Sequence, residues 1–386
     1  MALANFDFEE LRGKIGEAVE KELPLVEELR AEVRQLQVKK LGTRPCRAIA
    51  PVATDGGENR LSFEPLHLEI IRVVDSNGTD LVQEVIPLSE DTEVFEQYAA
   101  RMPVLQKLLE MVGVPFHALS FLVGRRKPSG SEPEEREPNI RGQLRAFRDI
   151  IEWAVVLDLA SRDWPTDVLL LRDGLLRSKI FKLATFPLLD RAFEHAFESQ
   201  GARQRHRVYL LGVAKTSAVL SKLGLAMMLE GTFSKDYPCY AEVPRGLEAK
   251  CYNFDRTWLE TAEDREDDTT KRYQSFGRLH LVKLSPMRTA PIFPVDIPVW
   301  LPAKDRQAVL EYLAYDAFDT FPVIGYPHSL QKAHEYATMT GLEMTVLGDM
   351  MIDHVLGHFP PGPAEKIIRQ VNLGRGLLKG GARHGG

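Results

Sequence analysis

Hydrophobic residues near the start of the chain recur every three or four positions, with charged residues between them. Across residues 6–38 this spacing predicts an amphipathic helix, and Pro24 is the position where a break in it is expected. The helix has two alternative roles, packing on its own domain or contacting a partner. We assign residues 1–40 to an N-terminal helical extension.

From Arg47 onward the pattern changes to short apolar runs that are bounded by turns. The first run closes at the turn Thr54–Gly57, so we expect Asp55 to end a strand. Residues 66–88 form two apolar runs around Asn77-Gly78, a dipeptide typical of tight hairpins. The sequence therefore predicts an antiparallel meander at the start of the main domain, which we place at 41–360.

Helical and strand patterns alternate after the meander, which predicts a mixed α/β sheet flanked by helices. The predicted helices are 90–112 with a break at Pro103, 140–161, 187–200, 217–229 and 303–318. The predicted strands are 167–174, 207–215 and 278–286. Five prolines between 286 and 302 predict an extended crossing, and residues 321–341 predict a short strand, a turn and a helix.

Two polar segments predict solvated loops. Residues 125–139 form a Pro-, Gly- and charge-rich insertion, and residues 260–272 form a charged stretch. We assign residues 361–386 to a C-terminal helix and a glycine-rich tail.

Three acidic residues stand in contexts that suit metal binding. Asp55 and Asp173 each follow apolar β-type sequence and precede glycine, which leaves backbone room for a bulky ligand. An Asp-Gly pair is also an ordinary turn, so that alternative stays open at both positions. Glu152 lies among apolar helix residues, where a buried carboxylate needs a salt bridge, hydrogen bonds or a metal. Three converging carboxylates would suit Mg²⁺ or Mn²⁺.

Lysine and histidine add candidates of a different chemistry. Lys215 follows a predicted strand, where an ammonium can hold a phosphate; an ordinary surface lysine is the alternative. His334 lies on a predicted helix after a Gly-Tyr-Pro turn. His354 and His358 have the spacing of a zinc pair, but Val355 stands where the HExxH motif requires glutamate.

Basic residues near these positions can track phosphates, although a solvated surface explains them equally well. They are Arg141, Arg145 and Arg148 on one helix face, and Arg177 and Lys179 after the predicted central strand.

Composition excludes several classes of protein. The chain has 386 residues, 44% hydrophobic, with 49 Lys and Arg against 55 Asp and Glu and a net charge of −6. This acidity argues against a general nucleic-acid coating protein. We expect a cytoplasmic protein, because no apolar run reaches the ~20 residues of a membrane span and no signal-peptide pattern opens the sequence. Motifs of ATP motors, dinucleotide dehydrogenases and serine hydrolases are missing.

The order of five segments resembles the NurA family of nucleases over about residues 40–345. The segments are TDGG at 54–57, a glutamate within a helix at 152, LLLRDGLLR at 169–177, GVAKTS at 212–217 and IGYPHSLQKAHEYA at 324–337. Members of that family are RNase H-like, metal-dependent enzymes that process DNA ends together with the hexameric HerA ATPase. The resemblance implies an RNase H-like mixed sheet and a homodimer.

The resemblance also implies roles for single residues. Asp55, Glu152 and Asp173 would be metal ligands for Mn²⁺ or Mg²⁺ in a two-metal site. Lys215 would be the active-site lysine, and His334 would assist metal binding or proton transfer. Asp149 lies one turn from Glu152 and is the alternative helix ligand.

The resulting hypothesis is a deoxyribonuclease that cuts single strands and resects DNA ends with a HerA-like translocase, in DNA repair or antiviral defence. A second hypothesis is an RNase H-like scaffold that binds DNA or the ATPase without cutting. A third is a Piwi-like protein of the same superfamily, for which we find no guide-anchoring elements in the sequence.

Overall fold

The computed structural model describes residues 8–42, 48–63, 66–87, 93–120, 140–178, 180–182, 184–203, 206–251 and 275–358. The helices of this part are α1 (Phe8–Val33), α2 (Glu93–Arg101), α3 (Pro103–Val112), α4 (Phe116–Leu119), α5 (Ile140–Ala160), α6 (Phe186–Arg203), α7 (Ala218–Glu230), α8 (Arg245–Cys251), α9 (Ala303–Asp316), α10 (His328–Ala337) and α11 (Gly341–Gly357). The strands are β1 (Lys39–Lys40), β2 (Ala50–Phe63), β3 (Leu66–Asp75), β4 (Asp80–Pro87), β5 (Val168–Asp173), β6 (Val208–Val213), β7 (Cys239–Glu242), β8 (Gly277–Lys283) and β9 (Phe293–Pro298).

These strands form one mixed sheet in the order β1-β7-β8-β9-β6-β5-β2-β3-β4. Strands β2, β3 and β4 are an antiparallel meander, and β5 and β6 extend it in parallel through helical crossovers. Antiparallel strands β9, β8, β7 and β1 complete the other side. The predicted fold class, a meander followed by strand-helix-strand units and flanked by helices, is confirmed.

Alternating side chains of the central strands enter two different cores. In β5, Val168 and Leu170 pack with α5 in one core, whereas Leu169 and Leu171 pack with α9 and α10 in the other. Both faces are covered, which is why this strand is a nearly continuous apolar run. The same alternation places Asp173 on the α10 face of the sheet.

The structure differs from four sequence predictions. Helix α1 is continuous through Pro24. Strand β2 does not end at Asp55, because β3 pairs with it from Thr54 to Phe63. The proline-rich stretch contains the buried strand β9, whose prolines lie near its ends (Pro294 and Pro298). Residues 321–327 form turns and not a strand.

The limits of the other predicted helices and strands agree closely with the structure. The predicted break in the helix at Pro103 is also present, because Pro103 begins α3. The predicted loops 125–139 and 260–272 and the C-terminal segment 361–386 lie outside the described residues.

Candidate active site

Two aspartates come together on neighbouring parallel strands. Thr54 of β2 is the register partner of Arg172 of β5, so Asp55 and Asp173 are the next residues on each strand. Both follow the alternation that faces α10. Gly56 donates its N–H to Asp55 Oδ1 at 2.8 Å, which fixes the orientation of that carboxylate.

Helix α10 brings a histidine to the aspartates. His334 Nδ1 lies 2.7 Å from Asp55 Oδ2. One ligand atom from each of Asp55, Asp173 and His334 lies within 4.8 Å of the other two, a spacing at which one metal ion can be held. The His334 side chain is 58% exposed, so the cluster is open to solvent and to a ligand of some size.

Two further side chains contact Asp173. Lys215, just beyond β6, places its Nζ 3.3 Å from Asp173 Oδ2. The Tyr326 hydroxyl donates to Asp173 Oδ1 at 3.3 Å, and the lysine ammonium lies 5.5 Å from the tyrosine ring centre. Burial raises the pKa of Asp173, the charge of Asp55 raises it further, and Lys215 opposes both.

Tyr326 was missed by sequence reasoning. Its side chain is 1% exposed, and burial beside Asp173 and Asp55 raises its pKa far above the ordinary value. The phenol therefore stays neutral and acts as a donor. The signal in the sequence was its place in the Gly-Tyr-Pro turn that leads into α10.

Glu152 lies close to this cluster but is held by arginines. Its Oε1 lies 3.2 Å from Arg148 Nε, and its Oε2 lies 3.4 Å from Arg172 Nη2. It does not belong to the three-residue group found among the described residues. Burial raises the pKa of Glu152 to about 8, and the Arg172 guanidinium is the strongest opposing influence.

The glutamate nevertheless borders the metal cluster. A methyl group at Gly56 would overlap Glu152 Oε1, so the carboxylate reaches β2 directly beside Asp55. Asp149, the alternative helix ligand, pairs with Arg172 and accepts the Ser178 hydroxyl at 3.1 Å. Arg172 thus ties α5 to the end of β5, a role that its position before Asp173 did not reveal.

The chain is similar to solved NurA structures, at low levels of identity. It is similar to the NurA nuclease from Sulfolobus solfataricus, with 13% identity over 92% of this chain and 99% of that one and a TM-score of 0.43. A second NurA structure has 11% identity over 91% and 99%, with a TM-score of 0.39. NurA bound to dAMP and manganese has 10% identity over 88% and 94%, with a TM-score of 0.38. No protein-family model and no curated protein matches the chain.

The predicted phosphate-tracking residues have varied surroundings. Arg145 is 70% exposed, 3.5 Å from Glu58, while Arg148 is held between Glu58 and Glu152. Arg177 pairs with the buried carboxylates of Glu248 and Asp296 at 2.6 and 2.5 Å. The side chains of Arg141 and Lys179 lie outside the described part of the chain.

A cavity of about 320 Å³ lies beside the exposed arginine. Its lining residues are Glu58, Arg60, Glu69, Leu144 and Arg145. These carry both signs of charge, and none belongs to the aspartate–histidine cluster. The cavity is therefore a neighbour of the candidate site and not its centre.

Remaining candidates lie apart from the cluster. The His358 ring Nδ1 contacts the His354 carbonyl at 2.8 Å, within the exposed end of α11. Cys239 and Cys251 are buried free thiols. No helix in the described ranges has the length and apolarity to cross a membrane.

Proposed function

We propose that this protein is a divalent-metal-dependent deoxyribonuclease that acts on single strands and DNA ends. The observation that carries the proposal is the cluster of Asp55, Asp173 and His334, with Lys215 and Tyr326 attached to Asp173. A cluster of two carboxylates, an imidazole and an ammonium, with a divalent ion held by the carboxylates, is suited to a phosphodiester, whose charge needs cationic partners.

The donor set fits a divalent ion. Carboxylate oxygens suit Mg²⁺ and Mn²⁺, and an imidazole nitrogen shifts the preference toward Mn²⁺. Asp55, Asp173 and His334 would hold the ion, and Glu152 would join only if it left Arg148 and Arg172. Such an ion, when bound, stabilises charge on the phosphate and lowers the pKa of a water molecule.

The other side chains have roles of their own in this proposal. Lys215 is 46% exposed, so its ammonium can contact phosphate oxygens while its charge opposes the rise in the pKa of Asp173. Tyr326 fixes the orientation of Asp173 through its hydroxyl hydrogen bond. Proton transfer is the alternative role of His334: with one ring nitrogen on Asp55, the other can either bind the ion or carry a proton. Exposed Arg145 would contact the DNA backbone farther from the cluster.

The experiment is cleavage of labelled linear and circular single-stranded DNA with Mn²⁺, Mg²⁺ or EDTA. We expect Asp55→Asn and Asp173→Asn to lower the rate at least 100-fold and to weaken Mn²⁺ binding in calorimetry, while circular dichroism stays unchanged. Asp167→Asn, at the opposite end of β5, is the matched control. Full activity in either site variant would refute the proposal.

A non-cleaving DNA-binding scaffold is the second candidate. The observation in its favour is that Glu152 is engaged by two arginines and leaves the cluster with two carboxylates. If the wild-type protein binds Mn²⁺ and single strands but cuts neither substrate, with or without a HerA-like hexamer, the scaffold function is the correct one.

We also propose that the enzyme is a cytoplasmic homodimer that works with a HerA-like hexameric ATPase in DNA repair or antiviral defence. An apolar stripe along α1 supports the dimer, because the described part of the chain leaves it exposed. Exposed members of this stripe are Leu11, Ile15, Val19 and Leu23.

A further inference from the structure

An apolar loop lies immediately beside the candidate active site. We define it as residues 318–325, between α9 and the turn into α10. Four of its side chains face solvent: Phe321 is 84% exposed, Phe318 55%, Ile324 49% and Val323 43%. Exposed aromatic and aliphatic side chains grouped in this way mark a contact surface.

The 318–325 loop is held in a single shape by side-chain hydrogen bonds. Thr320, itself buried, donates its hydroxyl to the carbonyls of Ala317 and Val323 at 3.2 and 3.1 Å and accepts the Gly325 N–H at 3.0 Å. Gln331 of α10 bonds both the N–H and the carbonyl of Val323. The backbone that carries the exposed rings of Phe318 and Phe321 is therefore fixed by these hydrogen bonds.

The base of this loop is part of the active-site framework. Gly325, which closes it, directly precedes Tyr326, whose hydroxyl meets Asp173. The same Gln331 that holds the loop also bonds the Tyr326 carbonyl at 2.9 Å and lies one turn before His334 on α10. The 318–325 loop and the aspartate–histidine cluster are therefore connected through Tyr326 and Gln331.

We propose that the 318–325 loop stacks nucleobases of single-stranded DNA next to the scissile phosphate, with Phe321 as the main platform. The inference rests on the proposed nuclease function and names the surface that would hold the bases of the single strand. Aromatic faces stack on any base without sequence preference. Asp319 within the loop repels phosphates, which favours contact with bases over contact with the backbone.

The test uses a binding readout that does not depend on cleavage. The parent is the wild-type protein in EDTA, which prevents metal-dependent cleavage, and it is titrated into single-stranded DNA with 2-aminopurine at successive positions. We expect fluorescence quenching at one or two positions, and Phe321→Ala should remove it and weaken binding roughly ten-fold. Phe321→Trp should restore both, and Met228→Ala, a 78% exposed side chain on α7, should change neither.

Abasic substrates and duplexes sharpen the outcome. Phe321→Ala should not weaken binding of a strand that lacks bases at the quenched positions, nor of blunt duplex. Equal loss on abasic and normal strands, unchanged quenching, or no single-strand binding by the parent would each overturn the inference. A change of oligomeric state in Phe321→Ala would also overturn it and assign the loop to a protein contact. Failure of wild-type cleavage alone would refute only the nuclease function.

Discussion

At the scale of single residues, the three carboxylates in and beside the candidate site differ in the groups that compensate their charge. Asp55 is contacted by the His334 imidazole and the Gly56 N–H. Asp173 is contacted by the Lys215 ammonium and the Tyr326 phenol. Glu152 pairs with the guanidinium groups of Arg148 and Arg172. Because it is buried, the cost of desolvating its charge outweighs these pairings and raises its pKa to about 8. Burial likewise raises the pKa of Asp173, and Lys215 opposes that rise.

Glu152 should leave a signature in the pH dependence of stability without metal. Its folded-state pKa of about 8 exceeds the ordinary 4.5, so the folded protein keeps a proton that the unfolded chain releases. The contribution of this proton to stability is fully present below about pH 4.5 and is lost as the pH rises toward 8.

The comparison is urea unfolding of wild type and Glu152→Gln in EDTA at pH 5, 6.5 and 8. Between pH 5 and 8 the free energy of unfolding of the wild type should fall by more than about 1 kcal/mol relative to that of Glu152→Gln. A difference that is constant with pH would mean that Glu152 is ionised throughout and fully compensated by Arg148 and Arg172.

At the scale of elements, the contact between α10 and β2 decides whether the histidine meets the aspartates. The Gly56-Gly57 pair sits in the middle of β2, with Glu152 of α5 close to one glycine and the α10 carbonyl of Ala337 close to the other. Glycine is required there by close approach and not by an unusual backbone angle.

Gly57→Ala should therefore disturb α10. The added methyl would overlap the Ala337 carbonyl, so the helix must shift and carry His334 away from Asp55. We expect a loss of about 1–3 kcal/mol in urea unfolding and weaker Mn²⁺ binding.

Gly224→Ala on α7 is the control, because its methyl meets open space. It should leave stability unchanged or raise it by up to about 1 kcal/mol. Unchanged stability and Mn²⁺ binding in Gly57→Ala would show that α10 does not depend on this close approach.

At the scale of the whole molecule, the C-terminal end of α1 packs against α7. Leu29 and Val33 are buried in a core shared with α7, and Arg30 and Arg34 pair with Glu230 at the end of α7. The first two thirds of the helix expose their apolar stripe. A soluble chain gains by covering such a surface, which is the physical support for the proposed homodimer.

The stripe predicts the effect of a single charge. Ile15→Lys should convert a dimer to a monomer in light scattering, because a lysine cannot be buried unpaired in an apolar contact. Glu17→Lys, on an exposed position of the same helix outside the stripe, is the control and should stay dimeric. A wild-type protein that is monomeric at micromolar concentration would contradict the proposed dimer.

Much of the fold followed from local signals. Asn77-Gly78 predicted the hairpin, Pro103 the start of a new helix, and the apolar run before Asp173 the central strand. Strand β9 was not predicted, because prolines are normally unfavourable in a central strand. In the structure Pro294 and Pro298 lie near the ends of this strand. Asp55 did not end its strand because β3 continues the pairing past two glycines, which a local turn signal cannot reveal.

The sequence by itself determined much of the order of strands and helices along the chain and the candidate acidic, basic and histidine side chains, because these depend on periodicity and local turns. Only the tertiary structure decided which of them meet. The parallel register of β2 and β5 joins Asp55 to Asp173, and the docking of α10 and of the turn before it adds His334 and Tyr326. Arg148 and Arg172 pair with Glu152. The contacts among Asp55, Asp173, His334 and Tyr326 join residues more than a hundred positions apart, and no local sequence pattern encodes them.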